Sequence, residues 1–210
     1  MKSLGINENI VSTLGFSSEL EPYYIILEYM EQGNLQTYLR MIRGTEGASK
    51  AYDNFKLTNT DLLKYSQQIA RGMEHISSKC IHRDLATRNI LVNNVGICKI
   101  AGFGLASEVV DERQYRSKIQ DRLTIGWLAP ETIDGTGFTT KSDVWSFGIL
   151  LWEIVTMGNK PYKDMCTSEL KSSLKEGYRM PKPLHCDEDL YAVMLSCWSA
   201  DPNARPGFRN

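Results

Sequence analysis

The sequence predicts an α+β domain that is rich in helices and contains a few short strands. Residues 142–157 are apolar on nearly every face, as expected of a helix that runs through a protein core. A second helix is predicted from about Thr60, because apolar side chains then recur every three or four residues. Its apolar stripe consists of Leu62, Tyr65, Ile69, Met73 and Ile76. Two short apolar runs, residues 89–92 and 97–100, flank the turn 93–96 and predict a pair of strands.

The remaining elements follow in order along the chain. Residues 1–29 indicate the end of a helix and then two strands, one on either side of Pro22. A short helix is expected to open after Gly33, and the polar stretch 43–59 predicts a surface insert. Two smaller helices are predicted near the end of the chain, at 168–176, where Gly177 stops the helix, and at 188–198.

Composition excludes several classes of protein. A chain of 210 residues fits one domain with a sizeable core. The net charge of −1 gives no electrostatic reason to expect a nucleic acid partner or an acidic membrane surface. No apolar run approaches the ~20 residues of a membrane span. The five cysteines form no C-x-x-C pair, which argues against a disulfide framework or a zinc site and favours a reducing setting.

The sharpest motif is HRDLATRN at residues 82–89. Its aspartate, Asp84, and its asparagine, Asn89, lie five residues apart on an expected loop and can face one site. Asp84 can accept a proton from an attacking hydroxyl, while Asn89 offers a neutral oxygen to a metal ion. The alternative is a surface loop whose charges pair with one another.

Three further motifs follow in order: WLAPE at 127–131, SDVWSFG at 142–148 and CWSADPNARP at 197–206. With these motifs, the chain resembles the catalytic domain of a receptor-type protein tyrosine kinase along its whole length, 1–210. Within this family, its sequence most resembles that of the fibroblast growth factor receptor group. The resemblance implies the α+β protein-kinase fold, with a remnant of the small lobe at 1–27, a hinge at 28–34 and the helical large lobe at 35–210. The domain is expected to be incomplete at both ends, either as a fragment or as a natural short form.

The resemblance also implies tyrosine as the phosphate acceptor. Serine/threonine kinases of this fold carry lysine two residues after the catalytic aspartate, where this chain has Ala86. Arg88 stands where receptor-type tyrosine kinases carry an arginine, which can anchor a phenol and the neighbouring phosphate. The expected partners are protein or peptide tyrosine substrates and a second kinase domain in a dimer. The expected location is the cytoplasmic side of a plasma-membrane receptor.

The expected cofactors are ATP and Mg²⁺. By resemblance, Leu27 would be the gatekeeper, backbone groups of Glu28 and Met30 would bind the adenine edge, and Leu91 would form the floor under the ring. Asn89 would be a metal ligand. For Leu27 and Leu91 the alternative is plain core packing.

The remaining expected roles are structural or regulatory. By resemblance, Asp143 would brace the catalytic loop that begins at His82, and Glu131 would pair with Arg205. The alternative for Glu131 and Arg205 is a solvated surface pair, which would contribute little to the stability of the fold. In the expected activation segment, Tyr115, once phosphorylated, would meet Arg83 and order the loop. The alternative is an exposed tyrosine without a regulatory role.

The metal-binding motif of the family is broken in this chain. The family has D-F-G, whereas this chain has Gly102, Phe103 and Gly104. In the family, the aspartate of this motif holds the Mg²⁺ ions that bridge the phosphates of ATP. Removing one preorganised electrostatic partner typically costs about 10²–10³ in rate. The sequence therefore leaves two hypotheses: a tyrosine kinase whose activity is severely weakened, or a pseudokinase that binds nucleotide or acts as a scaffold.

Overall fold

The computed structural model describes residues 4–45, 57–108 and 125–209. Its helices are α1 (Leu35–Thr45), α2 (Asn59–Ser77), α3 (Pro130–Ile133), α4 (Thr140–Val155), α5 (Thr167–Lys175) and α6 (Glu188–Cys197). Its strands are β1 (Thr13–Ser17), β2 (Tyr24–Leu27), β3 (Gly33–Asn34), β4 (Cys80–Ile81), β5 (Ile90–Val92), β6 (Cys98–Ile100) and β7 (Ser107–Glu108). Helices predominate over short strands in this part of the chain, which confirms the predicted α+β class.

The strands form three small antiparallel sheets. Strands β1 and β2 form a hairpin in which Thr13 lies opposite Leu27. Strands β3, β5 and β6 form a three-stranded sheet in that order, and Leu91 lies opposite Lys99. Strands β4 and β7 form the third sheet. The predicted pair of strands around the turn 93–96 is therefore confirmed as β5 and β6.

Helix α4 is the centre of the core, as its sequence predicts. Twelve of its sixteen residues are buried. It begins at Thr140, two residues earlier than predicted, because Thr139 and Ser142 form a capping box in which each side chain bonds the backbone N–H of the other. It ends at Val155, two residues before the predicted end, and the N–H of Gly158, at φ +77°, donates to the carbonyl of Glu153 at 2.7 Å beyond the last turn.

Helix α2 carries the predicted apolar stripe. It begins at Asn59 because Thr58 and Asp61 form a second capping box. Four of the five stripe residues are fully buried and the fifth is half-buried against the core; the fully buried ones are Tyr65, Ile69, Met73 and Ile76. Helical periodicity therefore predicted the buried face of this element correctly.

Helix α1 runs further than predicted. It continues to Thr45, so the expected surface insert at 43–59 is wrong for residues 43–45, which are helical. Residues 46–56 of that stretch lie outside the described part of the chain. The two helices expected near the end are confirmed to within one residue as α5 and α6.

Among the described residues, none of the helices is both long enough and apolar enough to cross a membrane.

Candidate active site

Helix α4 holds the start of the HRDLATRN loop through a buried carboxylate. The backbone N–H groups of His82 and Arg83 donate to the two oxygens of Asp143, at 2.7 and 2.9 Å. Burial raises the pKa of Asp143 to about 7, against the opposing effect of these two hydrogen bonds and of the Arg83 charge. Arg83 itself has φ +70°, a left-handed conformation that reverses the chain just before Asp84.

The His82 imidazole joins this loop to the end of β6. Its Nδ1 accepts from the Asp84 N–H at 3.3 Å, so its Nε2–H donates to the Ala101 carbonyl at 2.8 Å. Burial lowers the pKa of His82, which favours the neutral ring. The Phe103 ring meets the imidazole edge-on, with 5.0 Å between centroids. His82 therefore ties the candidate base to the segment that carries Gly102.

The three candidate catalytic side chains come together at Asp84. Arg88 donates to one oxygen of the Asp84 carboxylate. The Asn89 amide donates to the other oxygen at 2.7 Å and to the Asp84 backbone carbonyl at 2.6 Å. The Arg88 guanidinium also lies over the Trp127 ring, 4.6 Å from its centroid, at a cation–π distance.

Gly102 leaves room that Asn89 occupies. The glycine has φ +79° and ψ +28°, and a Cβ built on it would lie 2.4 Å from Asn89 Cγ and 2.6 Å from Asn89 Oδ1. Contacts this short do not occur in real structures. An aspartate at this position therefore requires the Asn89 side chain to move.

The residues present do not fit the Mg²⁺ site of a protein kinase. Mg²⁺ demands near-octahedral oxygen coordination with carboxylate ligands. Gly102 supplies no side-chain oxygen, and both carboxylate oxygens of Asp84 accept hydrogen bonds from Arg88 and Asn89. In the part of the chain that the structure describes, no cluster of three or more histidine, cysteine, aspartate or glutamate residues could hold a metal ion.

The four residues expected at an adenine pocket lie where β2 ends and along β5. Leu27 is the last residue of β2 and is 36% exposed, which argues against plain core packing at this position. Met30 is buried, and Leu91 is half-buried in the middle of β5. The N–H of Gln32 donates to the Val92 carbonyl at 3.0 Å, so the segment after β2 runs beside the strand that carries Leu91.

A side chain of the expected hinge also fixes its position. Glu28 accepts from the backbone N–H of Ser12 at 2.6 Å and from Lys99 Nζ at 2.8 Å. Burial acts to raise the pKa of Glu28, but the hydrogen bonds from Lys99 and Ser12 outweigh it and lower the pKa. The carboxylate therefore stays ionised and links β2 to β6.

Glu131 and Arg205 lie elsewhere in the fold. The guanidinium donates to both Glu131 oxygens, at 2.6 and 2.8 Å, and also to the carbonyls of Ser199 and Lys141, each at 2.9 Å. Arg205 is 2% exposed, so this is not a solvated pair.

Tyr115 lies outside the described residues, so its expected contact with Arg83 stays a prediction. The Arg83 guanidinium lies 5.3 Å from the Phe138 ring centroid.

Sequence reasoning missed the second carboxylate that α4 places behind the loop. Glu153 accepts hydrogen bonds from Thr87, Trp127 and Gln36. The available signal was a charged residue near the C-terminal end of the helix, after nine residues that carry no charge. No spacing pattern indicated what it would contact.

An aspartate that accepts from an arginine and an asparagine, on a loop braced by a buried helix, is the arrangement expected in a protein kinase fold. The chain belongs to the protein tyrosine and serine/threonine kinase family, whose model matches residues 1–210. This family generally transfers phosphate from ATP with Mg²⁺. One relative is Tyrosine kinase receptor Cad96Ca of Drosophila melanogaster, which is 43% identical over 210 residues. The match covers 99% of this chain and 27% of the relative, so the chain spans about a quarter of that protein's length.

Proposed function

We propose that this chain is a tyrosine kinase domain of receptor type, similar to the fibroblast growth factor receptor group, with catalysis weakened by Gly102. The observation that carries the proposal is the convergence of Arg88 and Asn89 on the Asp84 carboxylate. The substrates would be ATP and a tyrosine of a protein. Asp84 would accept the proton of the tyrosine hydroxyl as that oxygen attacks.

The surroundings of Arg88 support a tyrosine acceptor. Its guanidinium is held between the Asp84 carboxylate and the Trp127 ring, and it is partly exposed. A guanidinium in this position can donate to a phenol oxygen or to a phosphate beside it. Ala86 is buried and leaves no cation at the position where serine/threonine kinases carry lysine.

The segment after β2 supports a nucleotide site. Backbone groups of Glu28 and Met30 would bind the adenine edge, with Leu27 as the gatekeeper behind the adenine and Leu91 as the floor beneath the ring. The Glu28–Lys99 pair supports this proposal because it holds the segment against the sheet that carries Leu91.

The expected loss of activity follows from the ligand set. Gly102 supplies no carboxylate to hold Mg²⁺, which would stabilise the charge of the transferred phosphoryl group, so we expect the rate to be lower by at least about 10²–10³. We therefore propose weak phosphate transfer, at most, for this chain.

A pseudokinase is the second candidate, and the packing of Asn89 favours it. The Asn89 amide fills the space beside Gly102 and joins Arg88 in satisfying Asp84. Both oxygens of the Asp84 carboxylate thus accept hydrogen bonds from protein groups. Such a site would bind nucleotide without Mg²⁺ or act as a scaffold.

The relative named above supports a location and partners. It is called a receptor, so we propose that this chain acts on the cytoplasmic side of a plasma membrane. Its partners would be protein tyrosine substrates and a second kinase domain.

The deciding experiment measures phosphate transfer from ATP to a tyrosine peptide by the full-length protein, with and without Mg²⁺. The variants are Asp84→Asn and Gly102→Asp. Gly104→Asp is the matched control, because it adds the same charge where a Cβ meets no atom within 4 Å.

Slow transfer that disappears in Asp84→Asn supports a weakened kinase. No transfer in the parent, with transfer restored in Gly102→Asp but not in Gly104→Asp, supports the pseudokinase. If none of the proteins transfers phosphate, the weakened kinase is wrong. If, in addition, none of them binds a fluorescent ATP analogue, a nucleotide-binding pseudokinase is wrong as well, which leaves the scaffold.

A further inference from the structure

Glu153 is a fully buried carboxylate that accepts four hydrogen bonds. One oxygen accepts from the Thr87 hydroxyl at 2.7 Å and from the Gln36 amide at 3.2 Å. The other accepts from the Thr87 backbone N–H at 3.1 Å and from Trp127 Nε1 at 2.8 Å. The residue is 0% exposed. Its carboxylate is therefore fully occupied by protein donors.

These donors come from three separate parts of the fold. Gln36 is in α1, Thr87 begins the 3₁₀ turn Thr87–Asn89, and Trp127 ends the 3₁₀ turn Ile125–Trp127. All of them are neutral, so no cation compensates the buried charge directly. Burial raises the pKa of Glu153, and the hydrogen bonds from Thr87, Trp127 and Gln36 oppose that rise. A buried acid held only by neutral donors is costly, and its main structural effect is to join the three segments.

The two residues that make the shortest hydrogen bonds to Glu153, Thr87 and Trp127, both lead to Arg88. Through the backbone, Thr87 is the residue directly before Arg88 in the turn. Through the side chain, Trp127 provides the ring over which the Arg88 guanidinium lies, at 4.6 Å. Glu153 thus fixes both the backbone and the guanidinium of the residue that pairs with Asp84.

Helix α4 therefore holds the loop at both of its ends. Asp143 binds the N–H groups of His82 and Arg83, and Glu153 binds the N–H of Thr87. The two acids are ten residues apart in one helix, which corresponds to about 15 Å along its axis. Asp84 lies in the loop between the two attachment points.

We propose that Glu153 is a positioning residue that holds Arg88 beside Asp84 and thereby sets the affinity of the site for an aromatic hydroxyl acceptor. The identity of the acceptor rests on the proposed function. The placement of Arg88 does not.

The test compares three variants of the full-length protein. Glu153→Gln keeps the size of the side chain but turns an N–H₂ group toward donors, so it leaves at least one donor without an acceptor. Trp127→Phe keeps an aromatic ring at this position but removes the Nε1–H together with one of the two fused rings of the indole. Gln36→Met is the matched control, because it removes a donor to Glu153 that lies in α1 and not in the loop.

The first measurement is hydrogen–deuterium exchange followed by mass spectrometry. In Glu153→Gln we expect faster exchange in segment 84–90, while segment 80–83 stays protected by Asp143. Gln36→Met should leave both segments unchanged. Equal acceleration throughout the chain would mean that Glu153 only stabilises the fold, and an unchanged segment 84–90 would mean that it does not hold the loop. Either result overturns the proposal.

The second measurement is the affinity for a fluorescent tyrosine peptide and for a fluorescent ATP analogue. Glu153→Gln should weaken peptide binding about tenfold, which is the loss of one charge-assisted hydrogen bond, and leave nucleotide binding unchanged. Trp127→Phe should weaken peptide binding less, and the double variant should lose less than the sum of the two, since both act on one link. Equal losses for peptide and nucleotide, or full additivity, would overturn the proposal.

The two proposals fail in different ways. If the parent protein binds no tyrosine peptide, the proposed function is wrong, and the exchange measurement still decides whether Glu153 places the loop.

Discussion

At the scale of single residues, Arg205 shows how a buried charge can be fully satisfied. It is 2% exposed, and its guanidinium donates to both oxygens of Glu131 and to two backbone carbonyls. Removing one member of a buried pair strands the other charge. We expect Arg205→Met to lower the free energy of unfolding by about 3–5 kcal/mol, measured by urea denaturation.

An exposed ion pair provides the control for the effect of burial. Lys182 pairs with Glu188, whose side chain is 81% exposed. Lys182→Met should therefore change the free energy of unfolding by less than about 1 kcal/mol. If the two variants lose the same stability, burial is not what makes the Glu131 pair matter.

The pH dependence of stability provides a test of Asp143. Burial raises its pKa to about 7 from an ordinary value of 3.8, so between these values the folded state binds the proton more readily than the unfolded state. Stability contributed by this group is thus present below about pH 4 and is lost as the pH rises to about 7. The free energy of unfolding of the parent minus that of Asp143→Asn should fall over this range, by up to about 1.4 kcal/mol per pH unit.

Above pH 7 that difference should become constant, because Asp143 is then ionised in both states. The measurement is urea denaturation of both proteins from pH 4 to pH 8. A constant difference over the whole range would mean that the N–H donors of His82 and Arg83 outweigh burial and keep the carboxylate ionised throughout.

At the scale of elements, one glycine sets how closely α4 and α6 approach. A Cβ at Gly148 would lie 2.6 Å from Trp198 Nε1 and 2.8 Å from Cys197 Cβ. Overpacking of this kind typically costs about 1–3 kcal/mol. We expect Gly148→Ala to destabilise the protein by this amount, measured as a lower Tm and a lower urea midpoint.

The same substitution in α1 should have the opposite sign. A Cβ at Gly44 would meet no atom within 4 Å, and glycine is a poor helix former. Gly44→Ala should therefore stabilise the protein by about 0.5–1 kcal/mol. Destabilisation by both variants would mean that the close approach at Gly148 is not the cause of its effect.

The elements also show what the sequence could predict. Helix α2 was predictable because its apolar period and its cap lie within one local window. The partners of Glu153 were not, since Trp127, Thr87 and Gln36 lie 26, 66 and 117 residues away along the chain. The same holds for Asn89 and Gly102. The motifs placed both residues near one site, but only the packing reveals that the side chain of one fills the space left by the other.

At the scale of the whole molecule, the β1–β2 hairpin is much less buried than the rest of the described chain. All four residues of β2 are exposed, including Ile25 at 68%, whereas every residue of β5 and β6 is buried or half-buried. The hairpin joins the remainder through few links, among them the Glu28–Lys99 pair and the bridge between Ile10 and Ile100. Isolated two-stranded hairpins are at best marginally stable in water.

We therefore expect the hairpin to open without the core. In native-state hydrogen exchange of the 210-residue chain, amides of β1 and β2 should exchange on the order of 10³-fold faster than those of α4, which open only on global unfolding. Strands β5 and β6 are the matched control and should exchange as slowly as α4. Slow exchange in the hairpin would mean that its apolar face is covered in solution. If that protection disappears on dilution, the cover is a second copy of the chain.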